Sequence, residues 1–256
     1  MVKNREENRI VLKMKGYLGY PMGFHQKIST LLHNSPLEVS VNMKLRYDPI
    51  VKKLKQLKKM NSKLKVLEIG SGSKGVTRFF RHPVTGVDVE FQEHKDPLLT
   101  EIRLPAQKGL PFKNNEFDVV LSVDTVEHIP RKERDAALKE MLRVSNRHIL
   151  LAYPARWTKW DERVLRKWPK DLDTYQNIKE HYDCGMPDGS EVERVFKNCK
   201  IERRYGTAAG LTYAVKLLEK TLLGKILTRS FLKVGMPVFR RINAENRHVY
   251  FIEKVQ

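Results

Sequence analysis

The stretch VLEIGSGSKG, Val66 to Gly75, runs from four residues of buried-strand character into a turn whose glycines fall at Gly70, Gly72 and Gly75. A G-x-G-x-x-G spacing between a strand and a helix lets a nucleotide-like ligand come up against the backbone, because no Cβ stands between them. Asp88, in PVTGVDV, lies 18 residues beyond Gly70. That is near the separation at which an acid ending the next strand reaches ribose hydroxyls. On these residues alone NAD, FAD, S-adenosylmethionine (SAM) and no ligand at all remain open.

Such residues need a scaffold, and the chain alternates in a way that supplies one. Lys65–Ile69 reads as a strand, Gly75–Phe80 as the start of a short helix and 83–89 as a second strand, with a short third strand near 101–104. FDVVLSV (117–123) is a buried strand. RKERDAALKEMLRVS (131–145) is a helix sharing Ala137, Leu138, Met141, Leu142 and Ser145 on one face, and HILLAYP (148–154) is another strand. CKIERRYG (199–206) and HVYFIEK (248–254) are further strand candidates. This βαβ rhythm predicts an α/β, doubly wound parallel sheet. Ahead of it, DPIVKKLKQLKKM places Ile50, Val51, Leu54, Leu57 and Met60 at helical spacing, which suits a helix covering the sheet better than a dedicated binding helix. The expected organisation is a basic, helical N-terminal cap over 1–64 and one domain over 65–256, with insertions at about 155–190 and 207–241.

With 256 residues and 41% apolar composition the chain can bury a sizeable core. It shows no run of 18 apolar residues, and its charged start, MVKNREENRIVLKMKG, lacks the apolar run of a signal peptide. A cytoplasmic protein, with peripheral membrane contact as a candidate, is the expectation. Cys184 and Cys199 form no metal-binding pattern. The net charge of +19 is uneven: residues 1–65 carry +11, 207–241 carry +6, and all others together only +2. Phosphate groups of a nucleic acid or an anionic membrane would suit the two basic flanks, as would plain solvated helix faces. In 207–241, Leu211, Val215, Leu218 and Leu222 form one stripe. Ile226, Leu227, Phe231 and Val234 form a second, edged by Lys225, Arg229 and Lys233. A helix lying on a membrane surface and a helix docked on its own core fit this equally.

VLEIGSGSKG, VTGVDVE and LPFKNNEFDVVLSVDTVEHIP, taken together and in this order, resemble the class I SAM-dependent methyltransferases, specifically the type 11 family. The resemblance covers about residues 64–154 and implies a mostly parallel, seven-stranded Rossmann-like sheet with SAM as cofactor. By position, it implies that Glu68, Gly70, Ser71 and Gly72 form the loop at the methionine moiety, with backbone N–H groups meeting its carboxylate. Asp88, followed by Val89, is implied as the ribose-binding acid. Leu110, Pro111 and Phe112 correspond to the turn before the fourth strand, and Ser122, Val123 and Asp124 to its end beside the cofactor. Glu127 and His128 follow on the loop above it. Where many relatives carry an aspartate for the adenine amino group, this chain has Ala106; Gln107 or a backbone carbonyl could serve instead.

Methyl transfer from a sulfonium is mainly a matter of positioning, and a hydroxyl acceptor gains further from a base. His128 is the first candidate base, since its loop overhangs the implied methyl position and imidazole titrates near neutral pH. A histidine that only packs over the cofactor is the competing reading. Asp124, Tyr153 and His181 are further candidates. SVDTVEH carries no Asn/Asp-Pro-Pro-aromatic motif for amino methylation of nucleic acids, and no cysteine stands near the motifs for pyrimidine C5 chemistry. No set of ligands suggests a metal. The expected function is methyl transfer to a hydroxyl or similar acceptor on a small molecule, glycan or lipid-linked substrate; KEHYDCGMPDGSEVERVF (179–196) resembles a stretch in relatives tied to envelope polysaccharides. An RNA methyltransferase using the basic N-terminal segment and a non-catalytic SAM-fold adaptor are the alternatives.

Overall fold

The computed structural model describes residues 41–91, 96–168, 170, 173–207, 218, 227–228 and 243–255. Its first element is helix α1, Val41–Met60. Tyr47, Ile50, Val51, Leu54 and Leu57 recur at helical spacing and are all buried on the sheet, so the expected covering helix is present. It begins earlier than the Asp48–Pro49 pair suggests. A proline favours the first turn of a helix, but Pro49 sits inside this one. The backbone bond it forfeits is offset by the burial of Leu45 and Tyr47 in the turn before it. Met60 is 81% exposed, because the helix ends there and the apolar stripe ends with Leu57.

Seven strands follow: β1 (Val66–Ile69), β2 (Val84–Asp88), β3 (Leu99–Arg103), β4 (Phe117–Val123), β5 (Ser145–Pro154), β6 (Cys199–Thr207) and β7 (Asn243–Lys254). They pair in the order β3-β2-β1-β4-β5-β7-β6, and only β7 runs antiparallel to its neighbours. The mostly parallel, doubly wound sheet expected from the βαβ rhythm is therefore the fold. Among the described residues four more α-helices complete it: α2 (Arg131–Val144), α3 (Lys159–Lys167), α4 (Asp173–Cys184) and α5 (Gly189–Val195). Ser145 does not end the helical face, as its spacing suggested. It opens β5, and its N–H closes α2 by donating to the Met141 carbonyl.

A sheet buried on both sides must have apolar residues at successive strand positions, and β4 does. Val119 and Leu121 pack with Ile50 and Leu54 of α1, while Val120 faces Leu138 and Met141 of α2. The same alternation in β1 puts Val66 and Glu68 on the α1 side. The insertion after β5 builds a small core of its own from Val164 and Ile178, with Leu165, Trp168 and Tyr175 packed against it. Both cysteines are free. Among the described residues no helix is long and apolar enough to cross a membrane. Apart from Thr207, Leu218, Leu227 and Thr228, the basic segment 207–241 lies outside the described residues, as do residues 1–40.

Candidate active site

Strand order reverses between β1 and β4, and in open α/β sheets ligands bind beyond the carboxyl ends of strands at such a switch point. A cleft of about 430 Å³ opens there. Its lining includes Gly70, Ser71, Gly72, Asp88, Val123 and Asp124, which motif positions pointed to. The third motif glycine, Gly75, lines it as well, and so do Met43, Arg46, Tyr47, Ser73, Arg78 and Glu90, to which the motif did not point.

Three glycines of the loop have left-handed backbones, with φ of 75°, 52° and 47° at Gly70, Gly72 and Gly75. Their surroundings differ. A Cβ on Gly70 would run into the Thr125 side chain and one on Gly75 into the Glu68 carboxylate, so those two are needed for packing. Nothing lies within 4 Å of a Cβ on Gly72. That open flank on the cleft is the room a bound cofactor requires. Gly72→Ala is therefore expected to fold, losing only about 1 kcal/mol for its left-handed backbone, while weakening binding of S-adenosylhomocysteine at least tenfold. Thermal melts and calorimetry on the one variant check both parts.

The loop's N–H groups are engaged within the protein. Gly70 donates to the Val87 carbonyl at 2.7 Å, and Gly72 donates to Asp88 Oδ2 at 2.7 Å. Both N–H groups are thus paired with β2, where the resemblance implied a ligand carboxylate. The cations lining the same cleft, Arg46 and Arg78, can meet a carboxylate instead. Asp88 Oδ1 accepts the Glu90 N–H at 3.2 Å, so both of its oxygens keep a lone pair for ribose hydroxyls.

Glu68 does not line the cleft. It is fully buried and accepts the Tyr47 hydroxyl at 2.9 Å and the Val76 N–H at 2.7 Å, bracing β1 to α1 and to the turn after the loop. Burial raises its pKa to about 7 against these two hydrogen bonds. Ser122 is buried and Val89 is 63% exposed, and neither is part of the lining. Ala106 is buried, and Gln107 donates its amide to Glu133 at 3.2 Å; neither residue lines the cleft as a substitute for the adenine-binding acid.

Asp124, at φ 55°, caps the end of β4 and is gripped by Arg46 from α1 and Arg247 from β7. Burial would raise its pKa, but the two guanidiniums outweigh that and hold it at about 2. A carboxylate this acidic is a poor proton acceptor near neutral pH. It serves as an anchor for the two arginines, which corrects its expected role as a base. Tyr153 is excluded too, since burial pushes its phenol far above the ordinary range.

His128 ends a short 3₁₀ turn, Val126–His128, that follows Asp124. Its Nδ1 lies 2.8 Å from Glu180 Oε2, and its Nε2 lies 3.2 Å from Nε2 of His181 on α4. Arg134, the largest fully buried side chain, holds this meeting together. It donates to the carbonyls of Val126 and Ile129 on one side and of Gly185, at the end of α4, on the other, while pairing with Glu191 at 2.8 Å. Motif reading missed Arg46, Tyr47, Arg134, Glu180 and Arg247. Only Tyr47 had a local signal, since it extends the Ile50–Leu54 stripe back by one turn.

Residues 67–149 match the family model described as a methyltransferase domain, Methyltransf_11. No curated protein sequence matches the chain. Among solved structures it is similar to magnesium protoporphyrin IX methyltransferase from Synechocystis PCC 6803 with bound S-adenosylhomocysteine, at 13% identity and a TM-score of 0.50, covering 84% of each chain. It is also similar to a SAM-dependent methyltransferase from Archaeoglobus fulgidus, at 12% identity and a TM-score of 0.50 over 82% of this chain and 96% of that one. Phosphoethanolamine N-methyltransferase 2 from Haemonchus contortus is 17% identical with a TM-score of 0.49 over 80% of this chain. The present chain spans only 52% of that enzyme. At such identities the likeness to the first two structures is one of fold. The family match covers residues 67–149, the strands and loop that build the cleft, and that part of the chain is similar to the methyltransferase domain of the type 11 family.

Proposed function

We propose that the protein methylates a hydroxyl-type oxygen on a small molecule, a glycan or a lipid-linked acceptor. The observation that carries this reading is the succession along one loop of a cofactor cleft, ending at Asp124, and a histidine backed by a carboxylate, His128 with Glu180. SAM, when bound, supplies a methyl group activated by its sulfonium. The residues of the chain supply position and proton handling. Asp88 receives ribose hydroxyls, and Arg46 and Arg78 offer the cations for a carboxylate. The Glu180 carboxylate favours the tautomer with hydrogen on Nδ1 of His128, leaving Nε2 to accept a proton. That leaves the His128 cluster, not Asp124, as the place where an acceptor loses its proton. Beside it Trp157 and Tyr182 form an exposed aromatic pair, with ring centroids 5.8 Å apart. Such faces suit a sugar or the first part of a lipid-linked substrate.

A calorimetric titration with S-adenosylhomocysteine tests the cofactor half. Saturable binding is expected for the wild type, with at least a tenfold loss in Asp88→Ala. A folded wild type that binds nothing overturns it. For the acceptor half, radiolabelled methyl from SAM should enter glycan or lipid fractions. Label entering RNA instead would favour the nucleic-acid reading.

A further inference from the structure

We propose that Glu127, His128 and His181 form a binding site for one divalent transition-metal ion of the zinc type, with a fourth coordination position left for a water or an acceptor oxygen. Their ligand atoms all lie within 4.8 Å of one another, although the residues come from a turn after β4 and from an insertion helix. Nothing in the spacing of the sequence suggested this set, and the expectation of no metal is where the proposal departs from it.

Four features support an ion over a plain hydrogen-bonded cluster. The two imidazole Nε2 atoms are 3.2 Å apart. Two nitrogens bound at about 2.0–2.1 Å in a tetrahedral site stand roughly 3.3 Å apart. Their rings meet at 74°, as ligands approaching one centre from different sides do. The other nitrogen of His128 faces the Glu180 carboxylate at 2.8 Å, the outer partner that commonly orients a metal-bound histidine. Finally, Glu127 is 1% exposed, and its Oε2 has no hydrogen-bond partner. A hydrogen bond between the histidines explains their approach but leaves that buried oxygen without compensation, which costs free energy. A cation among the three donors satisfies all of them.

The donor chemistry selects the ion. Two imidazoles and one carboxylate match His₂Glu zinc sites, whereas calcium and magnesium prefer sets made of oxygen. Arg134 fixes both walls of the site, so little ordering remains to be done on binding. With an ion in place, Nε2 of His128 is a ligand and not a base. The ion then takes over the service of lowering the pKa of a bound oxygen. The site itself is independent of which acceptor is methylated, and its test reads metal, not methyl transfer.

The full-length protein, freed of metal with a chelator, would be titrated with Co²⁺ alone. One equivalent should bind with the visible absorption of a tetrahedral site, and Zn²⁺ should displace it. Affinity should fall at least 100-fold in His181→Gln and in Glu127→Gln, and by about 10–100-fold in Glu180→Gln, which removes only the outer partner. Circular dichroism and binding of S-adenosylhomocysteine establish that each variant is folded. A folded wild type that takes up no Co²⁺ overturns the proposal. So does uptake that is weak and multiple, or equal in the wild type and both ligand variants.

Discussion

Asp124→Asn is expected to destabilise the folded chain by about 2–4 kcal/mol. Removing one partner of a buried ion pair typically costs about 3–5 kcal/mol, because the remaining charge stays out of water. Here two guanidiniums, Arg46 and Arg247, would be left facing each other. The side chains of Arg46, Asp124 and Arg247 keep 25%, 15% and 11% of their surface in solvent, which justifies the lower range. For a chain of this size the shift in Tm is about 5–15 °C. Asparagine tolerates the left-handed backbone at this position, so the variant isolates the lost charge. Adding Arg247→Gln should restore part of the stability, since the repulsion between the arginines then disappears.

The pH dependence of this anchor follows from its sign. Asp124 is held at about 2 against an ordinary 3.8, so the folded state releases its proton more readily than the unfolded one. Its stabilisation, about 2 kcal/mol by linkage, is present above pH 4 and fades as the pH falls through about 2. Urea unfolding of wild type and Asp124→Asn at pH 7 measures the main effect. A difference below about 0.5 kcal/mol, the usual scatter of surface changes, would mean that solvent screens the three charges.

Glu68 pushes stability the other way. Its native pKa of about 7 exceeds the ordinary 4.5, so the folded state holds this proton more tightly. The contribution is complete below pH 4.5 and is lost as the pH rises through 7, amounting to about 3 kcal/mol by pH 8. Glu68→Gln removes the charge but keeps an acceptor for the Tyr47 hydroxyl or the Val76 N–H. Its stability should be flat between pH 5 and pH 8 at this site, matching or falling below the wild type at pH 5 and exceeding it at pH 8. Parallel profiles for the two proteins would show that Glu68 keeps its charge in the folded state. The effect reaches function because Glu68 braces the turn after Gly75. A wild-type cofactor affinity that weakens from pH 6 to pH 8, but not in the variant, is the matching observation.

Local pattern was enough to find the cleft. The apolar runs of β1 and β4, the three glycines and Asp88 are read from neighbours a few residues apart, and alternation of strands with helices leaves few ways to wind the sheet. The glycine loop was legible as a loop, but not the division of labour within it. Only the surroundings show that Gly70 and Gly75 make room for Thr125 and Glu68 while the flank of Gly72 stays open to the cleft.

Charge and proton chemistry, by contrast, were decided by the tertiary structure. Asp124 reads as a candidate base until partners 78 residues before it and 123 residues after it close on its carboxylate. His128 reads as a lone loop histidine until α4 brings His181 and Glu180 to its two ring nitrogens, and Arg134 locks the meeting. A side chain's backbone conformation and periodicity depend on its neighbours in the chain, so the sequence by itself determined the strands, the glycine turn and their resemblance to a methyltransferase domain. A side chain's charge state and ligands depend on what lies within a few ångströms, and the order of the strands and the docking of the insertion set that for this protein.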